Sequence, residues 1–376
     1  MRQSPTPNSH SSIEQSRHLL VTGGAGFIGS NFVHYWCDRY PQDRIVVLDL
    51  LSYAGNRRNL EAVEEKENFR FVQGDICDRT LVDALLKAEK IDTIAHFAAE
   101  SHVDRSILGP EAFVRTNVLG TSTLLEAFRQ HWQKRRGKKT ENTGGRGNTF
   151  RFLHISSDEV FGSLGSDDPP FTETTPYSPN SPYAASKAGS DHLVRAYHHT
   201  YGLPTLITNC SNNYGSFQFP EKLIPLMCIN ILMGKSLPIY GDGQNVRDWL
   251  YVGDHCRALD LVIHQGILGE TYNIGGNNEV KNIDLVQMVC QLMDELTPNL
   301  PVSPASQLIT FVKDRPGHDR RYAIDATKLK TQLGWTPQET IQEGLRRTVE
   351  WYLTHRNWWE PLLSEDYQAY YRKIYA

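Results

Sequence analysis

From residue 18 onward, short apolar runs alternate with longer stretches whose apolar residues recur every three or four positions. The short runs, rich in Val, Ile, Leu and Phe and bounded by turn residues, predict buried strands; the longer pattern predicts amphipathic helices. Strands are predicted over His18–Thr22, Arg44–Asp49, Phe69–Gln73, 93–97, 150–156 and 205–209, with helices over 31–38, 81–87, 112–132 and 183–201. Such alternation predicts an α/β fold, a doubly wound parallel sheet with helices on both faces, because parallel neighbours are joined by right-handed crossovers. After Cys210 the turn clusters NNYG, GDGQN, GGNN and DRPGHD become dense. They predict a main domain over 17–210 and a smaller, discontinuous C-terminal substrate-binding lobe over 211–253 and 276–376, with 254–275 returning to the main sheet.

Two segments fall outside this pattern. Residues 1–16 are polar and carry no apolar core, which predicts a disordered tail rather than a signal peptide. Residues 134–148 (KRRGKKTENTGGRGN) predict a basic, solvated surface insertion. Formal net charge is only −4, so the chain as a whole shows no electrostatic footprint for nucleic acid or an acidic membrane. No apolar run has the length of a membrane span, and a cytoplasmic protein is expected. The six cysteines are scattered without a C-x-x-C pair, so they are expected to be small core residues, and no metal site is expected. The aromatic-rich end (Trp335, Trp351, Tyr352, Trp358, Trp359, Tyr367, Tyr370, Tyr371) is expected to pack the lobe.

The run LLVTGGAGFIGS sets Gly23, Gly26 and Gly29 between a strand and a helix, a Rossmann-like arrangement. There the backbone approaches a pyrophosphate closely and the helix N-terminus supplies amides. Asp49, ending the second strand, can accept both adenosine-ribose hydroxyls and would repel a 2′-phosphate, which predicts NAD rather than NADP. Asp75–Ile76 and Phe97–Ala98–Ala99–Glu100–Ser101 close the third and fourth strands, where an acid and small residues suit an adenosine pocket.

Tyr183-Ala-Ala-Ser-Lys187 places a phenol and an ammonium on one helix face. A nearby positive charge stabilises phenolate, making tyrosine a usable base. The preceding predicted strand ends in Ser156–Ser157, followed by the adjacent carboxylates Asp158 and Glu159.

On these residues the chain resembles the extended short-chain dehydrogenase/reductase family over about residues 17–359. Through HISSDEVFG (154–162) it is similar to that family's nucleotide-sugar 4,6-dehydratase branch. Epimerases of the family carry small or hydroxyl residues in place of Asp158 and Glu159. The resemblance implies NAD as cofactor, dTDP-glucose as substrate and a homodimer packed through helices 112–132 and 183–201. It also implies a reaction in which C4 is oxidised, C5 is deprotonated by Glu159, the C6 hydroxyl leaves with a proton from Asp158, and C6 is then reduced. Ser157 would bond the C4 oxygen alongside Tyr183. Cofactor contacts implied further are Phe27, Ile28, Leu50, Leu51, Ser52, Thr116 and Asn213. The motifs AAESHVDRSI, NCSNNYG, FPEKLIPL, PIYGDG, RDWLYV and DRPGHDRRYAID extend the match. From them Ser101, Asn212, Glu221, Leu223, Pro238, Ile239, Tyr240, Asn282, Asp314, Pro316, Gly317, His318 and Tyr322 are implied as substrate contacts, with Lys222, Arg247 and Arg315 opposing a diphosphate. The chain departs from the branch pattern at Leu50 (often Lys), Ser52 and Ser157 (Thr), Phe161 (Tyr) and Ser216 (Pro), none of which removes a reacting group. Other nucleotide-sugar 4,6-dehydratases, a 4-epimerase, and a non-catalytic NAD-binding regulatory protein stay open at this point.

Overall fold

A computed structural model describes residues 16–136 and 150–375. Residues 1–15 of the predicted tail and 137–148 of the predicted insertion lie outside the described residues. In chain order the strands are β1 (His18–Thr22), β2 (Arg44–Asp49), β3 (Phe69–Gln73), β4 (Thr93–His96), β5 (Arg151–Ser157), β6 (Thr205–Cys210), β7 (Asn212–Tyr214), β8 (Leu237–Tyr240), β9 (Val246–Tyr251), β10 (Thr271–Ile274), β11 (Glu279–Lys281) and β12 (Ile309–Val312).

Seven strands form one sheet in the order β10-β6-β5-β4-β1-β2-β3, every adjacent pair parallel. Alternate side chains of each strand feed two cores, because the pleat sends successive residues to opposite faces. Leu19, Val21, Ile45 and Val47 pack with helices Phe27–Arg39 and Val252–Gln265. Leu20, Val46 and Leu48 pack with Arg79–Ala88, Thr121–Arg136 and Pro182–Tyr201. The chain winds outward from β1 to β3, then restarts at β4 on the other side of β1. That reversal opens a crevice beyond the C-terminal ends of β1 and β4.

The C-terminal segments carry strands that turn density alone did not reveal. The run RDWLYV is strand β9, paired with β7 and, antiparallel, with β11, while β12 pairs with β8. These strands are three to six residues long, too short for a period-two pattern to stand out, and tertiary pairing decides them. Their core gathers Tyr214, Ile229, Trp249, Leu285, Tyr352, Trp358 and Trp359, which accounts for much of the aromatic-rich end.

A second difference concerns the predicted helix 112–132. It is continuous from Pro110 to Arg136, but Val114–Gly120 is wound as a π-helix between two α-helical parts. Within it, the Asn117 carbonyl accepts hydroxyl hydrogen bonds from Thr121 (2.5 Å) and Ser190 (3.0 Å). Wide turns of this kind are often found at functional sites.

Candidate active site

The crevice encloses a cavity of about 310 Å³ that runs from the glycine turn to the start of the helix Pro182–Tyr201. That size suits a small-molecule site. At one end Gly23 has φ +70°, and a Cβ there would sit 2.5 Å from the Ala98 amide nitrogen. A Cβ on Gly29 would collide with the Gly23 carbonyl oxygen, so the helix Phe27–Arg39 can start against the turn only with glycine there. The turn therefore leaves bare backbone facing the cleft, which is what a pyrophosphate requires. Gly26, Phe27, Ile28, Gly29, Leu50, Ser52, Asp75, Ile76, Thr116 and Asn213 line the same cavity.

Asp49 is buried at the end of β2; its Oδ2 accepts from the Ala25 amide (2.9 Å) and Oδ1 from the Leu51 amide (2.8 Å). Burial pushes its carboxyl above the ordinary value while those amides oppose the rise. Leu51, at φ +56°, turns its side chain onto the sheet core and does not line the cavity. Asp75 accepts from the Cys77 amide (2.8 Å) and pairs with Arg115 (3.0 Å).

The segment Phe97 to Ser101 forms the opposite wall. Asn117 clamps it: Oδ1 accepts from the Glu100 amide (2.9 Å), and Nδ2 donates to the Glu100 carbonyl (3.0 Å) and the Ser186 hydroxyl (2.8 Å). The π-helical turn thus ties the wall to the helix bearing Tyr183, a link that strand and helix patterns do not encode.

Ser181 caps that helix through the Ala184 amide (3.1 Å), and Pro182 takes its first position, so Tyr183 stands in the first turn and faces the cleft. Lys187 Nζ, one turn on, donates to the Ile155 carbonyl (2.7 Å). Burial pushes the Tyr183 phenol well above its ordinary value, nearby Glu159, Cys210 and Asp158 add to the rise, and a hydrogen bond with Ser157 opposes it. In the protein alone, then, the Tyr183 phenol is held toward its protonated form.

At the end of β5, Ser157 caps a 3₁₀ turn over Asp158–Phe161, accepting from the Glu159 amide (3.2 Å) and donating to Asp158 Oδ1 (3.2 Å). Asp158 is buried, and its Oδ2 has no hydrogen-bond partner among the described residues. The two carboxyls sit in different fields. Asp158 is pushed well above the carboxylate range by burial, then by Glu159 and Asp248. Burial raises Glu159 too, but Arg315, Arg247 and Lys222 oppose it. Both carboxyls are thus shifted upward, Asp158 the more strongly, and a pair whose environments push them apart in this way can divide into a general acid and a general base.

Asn212, Glu221 and Lys222 complete the cavity lining. The remaining substrate contacts implied by the sequence lie beyond it, in two groups. Arg315 Nη1 and the Tyr240 hydroxyl both donate to buried Asp104 (3.0 and 3.1 Å), His318 packs edge-on to Tyr240, and His318 Nδ1 lies 2.6 Å from Asp314. Arg247 is buried over the Tyr322 ring, donating to the Asp319 carbonyl (2.9 Å), while the Tyr322 hydroxyl donates to the Asp319 carboxylate. Both guanidiniums are close enough to Glu159 to steady its charge. Pro238 and Ile239 form β8 beside β12, Leu223 opens a helix against the lobe core, and Asn282 opens another with its Oδ1 buried and unpartnered among the described residues. Pro316 and Gly317 are exposed in the loop before His318. The sequence reading missed Asp104, which joins Arg315 and Tyr240 to the helix Val103–Leu108, although it stands inside the quoted AAESHVDRSI motif. Among the described residues no group of three His, Cys, Asp or Glu is placed to hold a metal, and no helix is long and apolar enough to cross a membrane.

Comparison with known proteins agrees with this geometry. The family model for GDP-mannose 4,6 dehydratase matches residues 20–348. A dTDP-glucose 4,6-dehydratase of Xanthomonas campestris pv. campestris is 56% identical over 349 residues, 93% of this chain and 97% of that one. Its counterpart in Neisseria meningitidis serogroup B is 54% identical, covering 94% and 98%. Among solved structures, a dTDP-glucose 4,6-dehydratase from Streptomyces venezuelae with NAD and TYD bound superposes with a TM-score of 0.81 at 49% identity, covering 92% of this chain and 99% of that one.

Proposed function

Because the chain belongs to the GDP-mannose 4,6 dehydratase family, we propose that it is an NAD-dependent dehydratase converting dTDP-glucose to dTDP-4-keto-6-deoxyglucose. The observation that carries the reading is the contrast between Asp158, buried and held protonated, and Glu159, opposed by three cations, at the strand end beside Ser157 and Tyr183. NAD, when bound, would supply the hydride acceptor for C4 and the hydride donor for C6. The bare Gly23–Gly29 turn, Asp49 and the Ala98–Ala99 wall would hold it.

Tyr183 accepts the C4 hydroxyl proton while Ser157 orients that oxygen; the Lys187 charge, to which a bound NAD would add its own, lowers the cost of the phenolate. The C4 ketone acidifies the C5 proton, and Glu159 removes it, giving it back to C5 once C6 has received hydride. Asp158 hands its proton to the C6 hydroxyl, which leaves as water. Lys222, Arg247 and Arg315 face the diphosphate, with the lobe of residues 211–253 and 276–376 closing over the nucleotide. A 4-epimerase needs no such pair of carboxyls, and a regulatory NAD-binding protein needs none of the four reacting groups. Incubation with dTDP-glucose and mass spectrometry for loss of water tests the reading; unchanged sugar would refute it.

NAD should bind at least about tenfold more tightly than NADP, a difference of about 1.4 kcal/mol, since Asp49 would face the added phosphate. Asp49→Ala should narrow that gap, as dissociation constants for the two cofactors will tell.

The reading includes a homodimer in the cytoplasm. Ile107, Leu108, Val114, Leu119 and Tyr201 expose between 38% and 57% of their surface along the helices that run from Val103 to Arg136 and from Pro182 to Tyr201. An apolar stripe on two neighbouring helices suits a four-helix interface with a second copy. Light scattering should return the mass of a dimer at micromolar concentration; a monomer mass would count against it.

A further inference from the structure

Beneath the active-site floor Asp191 is completely buried and takes no part in the steps above. Its Oδ2 accepts from the Ser156 hydroxyl (2.9 Å) and the Tyr177 hydroxyl (2.7 Å), with Asn209 Nδ2 at 3.4 Å. Its Oδ1 lies 3.1 Å from His154 Nε2. A carboxylate buried this deeply is costly without a cation. Arg195 reaches the Tyr177 hydroxyl (2.8 Å) rather than the carboxylate. Lys187 stands four residues before Asp191, on the same face of the same helix and equally buried.

We propose that Asp191 is the fixed counter-ion of Lys187, a positioning residue that keeps the ammonium charged beneath Tyr183. This rests on the reading of Tyr183 and Lys187 as the proton-transfer pair. The groups facing Lys187 come from every element packed around it. His154 on β5 and His96 on β4 are buried, which pushes the first down to about 4 and the second well below its ordinary value, so both are neutral at neutral pH. Burial pushes the Cys210 thiol on β6 up to about 12 and raises the carboxyl of Asp158, leaving both protonated. The π-helical turn brings only uncharged Asn117. Asp191 is different. Burial raises its carboxyl, but His154, Lys187 and the Tyr177 hydroxyl outweigh burial and hold it below the ordinary value. It is thus the anion one helical turn from Lys187, and it opposes the effect of burial on the ammonium.

Competitive labelling of Lys187 with acetic anhydride, read by peptide mass spectrometry across about pH 6 to 11, gives its titration midpoint without any turnover. An uncompensated buried lysine titrates near about 5–6, so the wild-type midpoint should lie above about 8, and one below about 7 overturns the proposal with no variant needed. In Asp191→Asn the midpoint should fall by at least about one unit, a tenfold change in ionisation. The alkaline limb of kcat should move the same way while KM changes by less than about threefold. Equal midpoints in the folded variant and the wild type would also overturn it. A lowered midpoint with wild-type turnover at every pH would support the counter-ion and refute instead the role given to Lys187.

Discussion

Glu159→Gln should stall the reaction after the first oxidation. Mixed rapidly with dTDP-glucose, the variant should accumulate reduced cofactor, seen by absorbance, and take up little deuterium at C5 from heavy water. Asp158→Asn should do the reverse, exchanging C5 while losing water slowly, because no proton reaches the leaving hydroxyl. Each variant should lose about 10²- to 10⁴-fold in overall turnover, the usual worth of a positioned acid or base. Tyr183→Phe should block oxidation itself, so neither signal appears. A carboxamide nearly matches a carboxyl in shape but is neither acid nor base at neutral pH, so the variants test chemistry rather than packing. The assignment follows from the fields on the two groups. Burial with two neighbouring carboxyls pushes Asp158 well above its ordinary value, whereas at Glu159, also raised by burial, three cations oppose the rise. If Glu159→Gln exchanges C5 normally and Asp158→Asn does not, the roles are reversed. Wild-type dehydration by both would make the pair structural.

Gly23→Ala should destroy cofactor binding. The backbone at φ +70° costs an L-residue about 1–2 kcal/mol, and the added methyl would overlap the Ala98 backbone, which has no flexible end to swing aside. Either the turn moves away from β4 or the wall does, and both carry the pyrophosphate site with them. We expect a stability loss of about 2–4 kcal/mol and an NAD affinity down by at least about 100-fold. Saturating NAD should raise the melting temperature of the wild type, since a ligand that binds only the native state stabilises it, and should leave the variant's unchanged. NAD binding by Gly23→Ala at wild-type strength would place the pyrophosphate elsewhere.

Much of the molecule could be read from the chain because its signals are local. β1, β2 and β3 lie where the apolar runs predict them, and β10 matches Thr271–Ile274. β1, β2 and β10 are buried parallel strands, and β3, the half-exposed edge strand, still stands out by its apolar Phe69, Phe71 and Val72. The glycine turn, Asp49, and the Tyr183–Lys187 spacing are legible for the same reason: strand, turn and helix geometry convert sequence distance directly into position. Ser157, Asp158 and Glu159 follow because they continue a readable strand into the crevice.

Other features belong to the tertiary structure. Strands β7 to β9, β11 and β12 are short and amphipathic only in relation to one another, so pairing rather than pattern decides them. The Asn117 clamp joins residues 17 and 69 positions apart, and the Asp104 link to Arg315 spans 211. Asp158 and Glu159 are adjacent and chemically alike along the chain; only the folded protein separates them, by burying Asp158 more deeply and gathering cations from three distant segments that oppose the rise at Glu159. The sequence by itself determined which groups are present and which strand ends carry them. Their protonation, and hence which carboxyl gives and which takes a proton, depends on burial and on charges brought together only by folding.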